Sequence, residues 1–284
     1  RMTKILDGRV VAKSLNQKTL KQINELKEAG VLPTLAIVRA DENPDSIQYE
    51  KAATRYMTKV GIETKSITFE QEVSEDQFLD TITTLNSDPT VHGILVMQPL
   101  PDNISLKKVS ECISPLKDID GMHPLNLGRI MTGDNKAHLP STVKAVVEML
   151  KYYEMSVAKK DICVIGKSTT VGKPLYLLLL NERATVSNCH TGTKQLKKYT
   201  NEADILISAT GAIGLITKEH VKKDAIVIDV GFNFKDNKAY GDVRYDEVSA
   251  IASAITPVPG GVGSVTTASL AQQVANAAEW LQEK

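Results

Sequence analysis

The chain has 284 residues, enough for about two domains of ordinary size. Its 34 lysines and arginines balance 34 aspartates and glutamates, and only 5% of its residues are aromatic, so the charge and stacking patterns of a nucleic-acid-binding protein are missing. Its three cysteines are widely spaced and its apolar runs are far shorter than a membrane span, which predicts a cytoplasmic protein without disulfides, a metal site or a membrane partner.

Helical and strand patterns alternate through the first half of the chain. Apolar residues recur at helical spacing and predict helices from Val11 to Leu26, over residues 45–60 and over residues 75–86. Ser74 is a suitable N-cap for the third helix because acidic residues follow it in the first turn. Short apolar or alternating runs predict strands at residues 34–38, 64–69 and 91–97.

The same alternation resumes after residues 125–141, a stretch that contains several glycines, asparagines and aspartates and separates two units. A helix is predicted after the hydroxyl residues Ser141 and Thr142, and another over residues 265–283. Strands are predicted at residues 162–165, 185–187, 204–208 and 225–230. Strand–helix alternation of this kind predicts an α/β protein in which right-handed βαβ units form a parallel sheet in each half.

Ligands of parallel sheets bind at the carboxyl ends of the strands. In this chain those ends carry four segments, at residues 98–101, 166–172, 208–211 and 230–232. The second follows a strand and opens a helix, so its amides can hold a phosphate. The dinucleotide fingerprint would place glycines at positions 166, 168 and 171, whereas only Gly166 is present. A plain strand–turn–helix connection therefore remains an alternative.

The choice of nucleotide depends on the end of the next strand. An NAD-binding protein usually carries an acidic residue there, and residues 188–194 contain none. Lys167 could pair with the 2′-phosphate of NADP, or it could be a solvated lysine of the turn. We therefore expect NADP, with NAD as an alternative.

Taken together, the motifs resemble the methylenetetrahydrofolate dehydrogenase/cyclohydrolase family, known in bacteria as FolD. The most specific segments are Lys117–Gly128, Val164–Pro174 and Ile255–Gly263. The resemblance implies a homodimer whose subunits have two parallel or mixed-sheet domains with a cleft between them. These would be a folate-binding catalytic domain, residues 1–140 plus 265–284, and a Rossmann-type NADP-binding domain, residues 141–264. It implies oxidation of 5,10-methylenetetrahydrofolate to 5,10-methenyltetrahydrofolate, followed by hydrolysis to 10-formyltetrahydrofolate.

The resemblance also implies roles for individual residues. Tyr49 and Asp120 fall at catalytic positions, and the carboxylate of Asp120 can take paired hydrogen bonds from the pterin ring. The implied folate-binding positions are Tyr49, Met97, Gln98, Asp120, Pro259, Gly260, Gly261 and Gly263. The implied cofactor-binding positions are Gly166, Lys167, Ser168, Thr191 and Phe232.

The chain departs from the family pattern at two positions of the folate site. The family's acid/base lysine is replaced by Ala53, and the family's glutamine by Met97. Neither Lys51 nor Arg55 is an easy substitute, because two residues along a helix is a rotation of about 200°. Hydrolysis requires proton transfer by a positioned acid or base, whereas hydride transfer depends mainly on the positioning of the two reacting carbons.

We therefore expect cyclohydrolase activity to be more damaged than dehydrogenase activity. Two alternatives stay open: a non-catalytic folate- or nucleotide-binding paralogue, and a Rossmann dehydrogenase with an unrelated substrate.

Overall fold

The computed structural model describes residues 2–69 and 72–283. Its strands are β1 (Lys4–Ile5), β2 (Thr34–Arg39), β3 (Glu63–Thr68), β4 (Gly93–Val96), β5 (Asp161–Ile165), β6 (Thr185–Cys189), β7 (Ile205–Ser208), β8 (Ile226–Asp229), β9 (Asn233–Lys235), β10 (Lys238–Tyr240) and β11 (Ala254–Ile255). Its α-helices are α1 (Gly8–Glu28), α2 (Pro44–Lys59), α3 (Glu75–Ser87), α4 (Leu106–Cys112), α5 (Pro124–Thr132), α6 (Ser141–Tyr152), α7 (Gly172–Asn181), α8 (Leu196–Thr200), α9 (Tyr245–Ser249) and α10 (Thr266–Gln282). No helix in the described part of the chain has the length and hydrophobicity that a membrane span requires.

The chain forms two compact units, which we name by their sheets. The six-stranded unit contains the residues up to Lys13, Ile130–Asp134 and Pro140–Thr266. The three-stranded unit contains Ser14–Arg129, Asn135–Leu139 and the residues from Thr267 onward. This division differs from the predicted one, residues 1–140 plus 265–284 and residues 141–264, in placing the amino-terminal residues and 130–134 in the six-stranded unit. The cause at the amino terminus is strand pairing, because β1 lies parallel to β11 with Lys4 opposite Ala254.

The three-stranded unit is built on a parallel sheet in the order β3-β2-β4. Its central strand β2 is almost wholly buried, as its apolar sequence predicts. Helix α2 is capped by Asn43, whose side chain accepts the amide of Asp45 at 2.9 Å. Helix α3 begins at the predicted cap, where Ser74 and Gln77 form a capping box. Sequence patterns therefore located these helices correctly.

The six-stranded unit is a parallel sheet in the order β1-β11-β8-β7-β5-β6. The direction in which successive strands are added to the sheet reverses at β5, which has β6 on one side and β7 on the other. That reversal is the topological switch point where doubly wound folds bind nucleotides. The predicted α/β class with parallel sheets, the second of Rossmann type, is confirmed.

Several elements differ from the sequence-based expectation. Helix α5 occupies part of the stretch predicted to separate the two units, and the short antiparallel pair β9–β10 was not predicted. Helix α6 starts at Ser141 itself, with Pro140 in the cap position and no side-chain capping hydrogen bond. The predicted hydroxyl cap is therefore wrong, because Ser141 is already in the first turn.

Candidate active site

Tyr49 and Asp120 lie in the same unit and interact electrostatically. Tyr49 is on α2 with 46% of its surface exposed. The pKa of its phenol is raised, first by burial and then by the negative charge of Asp120. The phenol therefore keeps its proton at neutral pH and can donate or accept a hydrogen bond. Asp120 is partly buried in the loop between α4 and α5.

The loop that carries Asp120 is held by a buried carboxylate that the motif analysis did not single out. Asp118 is 1% exposed and accepts hydrogen bonds from the His123 amide at 2.8 Å and the Asn126 side chain at 2.8 Å. A third comes from the Met122 amide at 3.1 Å. Burial, with a smaller contribution from the charge of Asp120, raises the pKa of Asp118 to about 7. Asp118, which precedes Asp120, is thus tied to the backbone amides that follow Asp120.

A second residue missed by the sequence analysis holds the same loop from α10. Gln273 is buried, and its amide nitrogen donates to the backbone oxygens of Ile119 and Leu139, both at 2.6 Å. Its side-chain oxygen accepts the Leu139 amide at 2.7 Å. The contacts span more than 130 residues of sequence, and a polar residue in an otherwise apolar helix face was the available signal.

The two departures from the family pattern lie together in an apolar cluster. Ala53 is 3% exposed and Met97 is 5% exposed, and both pack with Met57, Leu95 and residues of α10. Gln98 is exposed, as the alternation of side chains along an extended segment predicts. It follows that Gln98 does not replace the polar group missing at Met97. The peptide bond between Gln98 and Pro99 is cis.

The predicted cofactor-binding turn lies at the switch point of the six-stranded unit. Gly166 adopts a φ of +129°, and a Cβ there would be 2.6 Å from the Ala209 oxygen, so only glycine fits. In the turn before α7, the Ser168 hydroxyl accepts the Val171 amide at 3.1 Å, and Lys167 is exposed beside it. This is a tight turn at a helix amino terminus with a cation alongside, and it fits a phosphate-bearing dinucleotide.

The remaining predicted cofactor positions lie at neighbouring strand ends of the same unit. Asn188 of β6 donates to the Gly166 oxygen at 2.7 Å, so the position where an acid would favour NAD instead stabilises the turn. Thr191 is exposed after β6, and Phe232 is 59% exposed after β8. These placements leave the two side chains accessible to a nucleotide.

The buried carboxylate of Asp229, at the end of β8, is hydrogen-bonded to residues 242–243, which follow β10. Asp229 accepts the amides of Gly231, Asp242 and Val243, each at 3.0 Å. Asp242 accepts the Ser208 hydroxyl at 2.7 Å. Burial, together with the charge of Asp242, raises the pKa of Asp229 to about 6. These contacts fix the turn that leads to Phe232.

The glycine-rich segment predicted to bind folate also lies in the six-stranded unit. A Cβ on Gly8 would be 1.9 Å from the Gly261 oxygen, so the start of α1 packs directly on this segment. A cavity of about 700 Å³ is lined by Ile5, Arg9, Tyr245, Pro259, Gly260 and Ser264. A Cβ on Gly263 would have no neighbour within 4 Å, so the backbone there is accessible. Pro259 follows a cis peptide bond.

Comparison with known proteins gives matches along the whole chain. The family model described as "Tetrahydrofolate dehydrogenase/cyclohydrolase, catalytic domain" matches residues 6–120, and the one described as "Tetrahydrofolate dehydrogenase/cyclohydrolase, NAD(P)-binding domain" matches residues 140–282. A bifunctional protein FolD from Clostridium botulinum is 42% identical over 279 residues, covering 98% of this chain and 99% of that protein.

Solved structures agree with the sequence matches. A bifunctional FolD from Campylobacter jejuni superimposes with a TM-score of 0.95 at 39% identity, covering 98% of this chain and 99% of that one. A Trypanosoma brucei FolD, crystallised with NADP and an inhibitor, has a TM-score of 0.91 at 30% identity, with both chains fully covered.

Proposed function

The chain belongs to the tetrahydrofolate dehydrogenase/cyclohydrolase family, and from this premise we propose that it oxidises 5,10-methylenetetrahydrofolate to 5,10-methenyltetrahydrofolate with NADP⁺. The observation that carries the proposal is the Gly166–Ser168 turn at the switch point, in a chain whose other unit keeps Tyr49 beside the charge of Asp120. A cofactor site and a folate site are both available for one reaction.

On the cofactor side, we propose that Gly166, Ser168 and the amides opening α7 hold the pyrophosphate. Lys167 would pair with the 2′-phosphate, since residues 188–194 offer no acid to select the free hydroxyl of NAD. Thr191 and Phe232 would contact the nucleotide from the neighbouring strand ends. When bound, NADP⁺ supplies the acceptor for the hydride.

On the folate side, we propose that Asp120 accepts the paired donors of the pterin edge and that Tyr49 donates a hydrogen bond as a neutral phenol. Hydride transfer from the methylene carbon removes no proton from the substrate, so neither residue has to act as a base. Asp118 and Gln273 hold the loop, and their role is to keep the Asp120 carboxylate in position. Gln98 and Met97 complete the proposed folate contacts of the three-stranded unit. The Pro259–Gly263 segment of the six-stranded unit remains a folate-binding prediction from the family resemblance.

We propose that the family's second activity, hydrolysis of the methenyl product, is weakened. A positioned acid or base contributes about 10²- to 10⁴-fold to such a step. Ala53 and Met97 supply none, and their packing in an apolar cluster leaves no proton-transfer group at these two positions. Methenyltetrahydrofolate is then the main product.

We also propose that the protein is a cytoplasmic homodimer, on the basis of the family resemblance. The absence of a helix suited to spanning a membrane among the described residues is compatible with this location. Light scattering of the purified protein tests the dimer, which predicts twice the mass of one chain. A mass of one chain would contradict it.

The dehydrogenase proposal is tested by following NADPH formation after methylenetetrahydrofolate and NADP⁺ are mixed with the protein. We expect turnover, and we expect Asp120→Ala to abolish most of it while NADP⁺ binding persists. An unmodified protein that binds NADP⁺ and tetrahydrofolate but forms no NADPH would instead be a non-catalytic binding paralogue.

A further inference from the structure

Arg39 and Glu50 form a buried ion pair in the three-stranded unit. Their side chains are each 10% exposed, and Nε of Arg39 lies 2.6 Å from Oε2 of Glu50. Arg39 is the last residue of β2, and Glu50 is on α2 immediately after Tyr49. Most other ion pairs among the described residues are exposed, and Lys144–Glu148 on α6 is buried to a similar degree.

The pair lies on the same face of the sheet as the two departures from the family pattern. Side chains alternate along β2, and Leu35 and Ile37, which share the face of Arg39, belong to the cluster of Ala53 and Met97. Val38 pairs with Val96, so the next residues, Arg39 and Met97, are neighbours on this face. On α2, Glu50 precedes Ala53 by three residues, which places their side chains about 60° apart around the helix.

Arg39 lies where substrates of parallel sheets bind. It ends the central strand, at the carboxyl edge of the sheet. The guanidinium donates from Nε to Glu50 and from Nη1 to the Asp41 backbone oxygen. Among residues 2–69 and 72–283, Nη2 has no hydrogen-bonding partner. The fixed guanidinium therefore has donors left for a ligand.

Stability alone does not explain the pair. Two charges taken out of water lose their hydration, and apolar residues of similar size usually stabilise a core equally well or better. A buried cation at a strand end, paired with a glutamate one helical turn from Ala53, is better explained by binding. A guanidinium also differs from an ammonium because it does not release its proton in a protein. It can therefore hold a substrate in position without acting as an acid.

We propose that Arg39, oriented by Glu50, donates a hydrogen bond to an oxygen of the bound folate and so replaces the positioning role of the lysine absent at position 53. This rests on the proposed dehydrogenase function. Arg39 would contact the substrate, and Glu50 would be a positioning residue that acts through Arg39. The replacement preserves substrate placement for hydride transfer and restores no acid or base for hydrolysis.

The test removes both charges together, because removing one would leave the other buried and unpaired. In the variant Arg39→Met with Glu50→Leu, the dissociation constant of tetrahydrofolate, measured by calorimetry without oxygen, should rise about 10- to 100-fold, the value of one hydrogen bond to a charged group. KM for methylenetetrahydrofolate should rise in parallel, with a smaller change in kcat. The double variant should keep the NADP⁺ affinity of the unmodified protein and should still unfold in a cooperative transition. A matched control is Lys144→Met with Glu148→Leu, which removes a similarly buried pair from α6 and should leave tetrahydrofolate affinity unchanged.

A rescue experiment separates binding from a merely structural role. Adding Ala53→Lys to the double variant should recover part of the lost tetrahydrofolate affinity. Adding Ala53→Lys to the unmodified protein should not increase its tetrahydrofolate affinity. Unchanged affinity and KM in a folded double variant would overturn the proposal. If the unmodified protein binds tetrahydrofolate without oxidising methylenetetrahydrofolate, the proposed dehydrogenase function is wrong. The tetrahydrofolate affinities of the unmodified protein and the double variant then still decide whether Arg39 binds folate. No tetrahydrofolate binding by the unmodified protein would overturn both.

Discussion

Restoring the family's polar pair, Ala53→Lys with Met97→Gln, should raise the rate of methenyltetrahydrofolate hydrolysis. The two side chains lie in one apolar cluster, so the new groups would be near each other. Glu50 is close by on the same face of α2 and can share its charge with the new ammonium. The pair would therefore supply a proton-transfer group where the chain now has an alanine and a methionine.

The magnitude follows from two opposing effects. A positioned acid or base contributes about 10²- to 10⁴-fold, so a gain of at least about 10-fold is expected even with imperfect placement. Ala53 is 3% exposed, so burying an ammonium there should cost on the order of 3 kcal/mol of stability. A typical domain has about 5–15 kcal/mol, which leaves the variant folded.

The assay is the loss of methenyl absorbance, corrected for hydrolysis in a protein-free sample. Ala52→Lys with Met97→Gln is the matched control, because Ala52 is the exposed neighbour on α2 and a lysine there faces away from the cluster. We expect the gain in the first variant alone. A folded Ala53→Lys, Met97→Gln variant with no gain would refute the reasoning, as would equal gains in both variants.

Three further predictions concern the turn, the nucleotide and the buried carboxylate. Gly166→Ala should lower the unfolding free energy by about 2–4 kcal/mol and weaken NADP⁺ binding, because position 166 has a positive φ and the added Cβ would collide with the Ala209 oxygen. The control Gly128→Ala should cost no stability, because the Cβ added there has no neighbour within 4 Å. Lys167→Ala should raise KM for NADP⁺ about 10- to 100-fold and leave KM for NAD⁺ unchanged in steady-state assays; parallel changes would exclude a 2′-phosphate contact. The pKa of Asp118 is about 7 in the folded protein against an ordinary 3.8, so the folded state binds this proton more tightly than the unfolded state does. The protonated Asp118 therefore contributes its full stabilisation below about pH 4, and this contribution is lost as the pH rises through 7. The stability difference between the unmodified protein and Asp118→Asn should therefore shrink by up to about 4 kcal/mol between pH 4 and pH 8 in denaturant titrations, and a difference independent of pH would contradict the assignment.

Local sequence patterns predicted the elements that local physics determines. The apolar run of β2 and the capping box at Ser74 are examples, because each depends on residues close together in the chain. The pairing of the two-residue strand β1 with β11 was not predictable, since it joins residues about 250 positions apart through backbone bonds that any side chain allows. Helix α5 carried a usable signal in Pro124 at its first position.

The candidate site was predicted less completely than the fold. Motifs indicated Tyr49, Asp120 and the Gly166 turn, because the chemistry of each depends on a few consecutive residues. The groups that hold them in place were missed: Gln273 binds the Asp120 loop from 154 residues away, and Arg39 pairs with Glu50 across two elements. Only the packed structure shows that Ala53 and Met97 share one cluster.

The most direct test follows both products of one reaction. Methylenetetrahydrofolate and NADP⁺ are mixed with the unmodified protein, and NADPH and methenyltetrahydrofolate are measured together over time. We predict that the two rise in equal amounts, because oxidation proceeds while hydrolysis lags. NADPH formation without accumulation of methenyltetrahydrofolate would contradict the account, since the chain would then hydrolyse its product despite Ala53 and Met97.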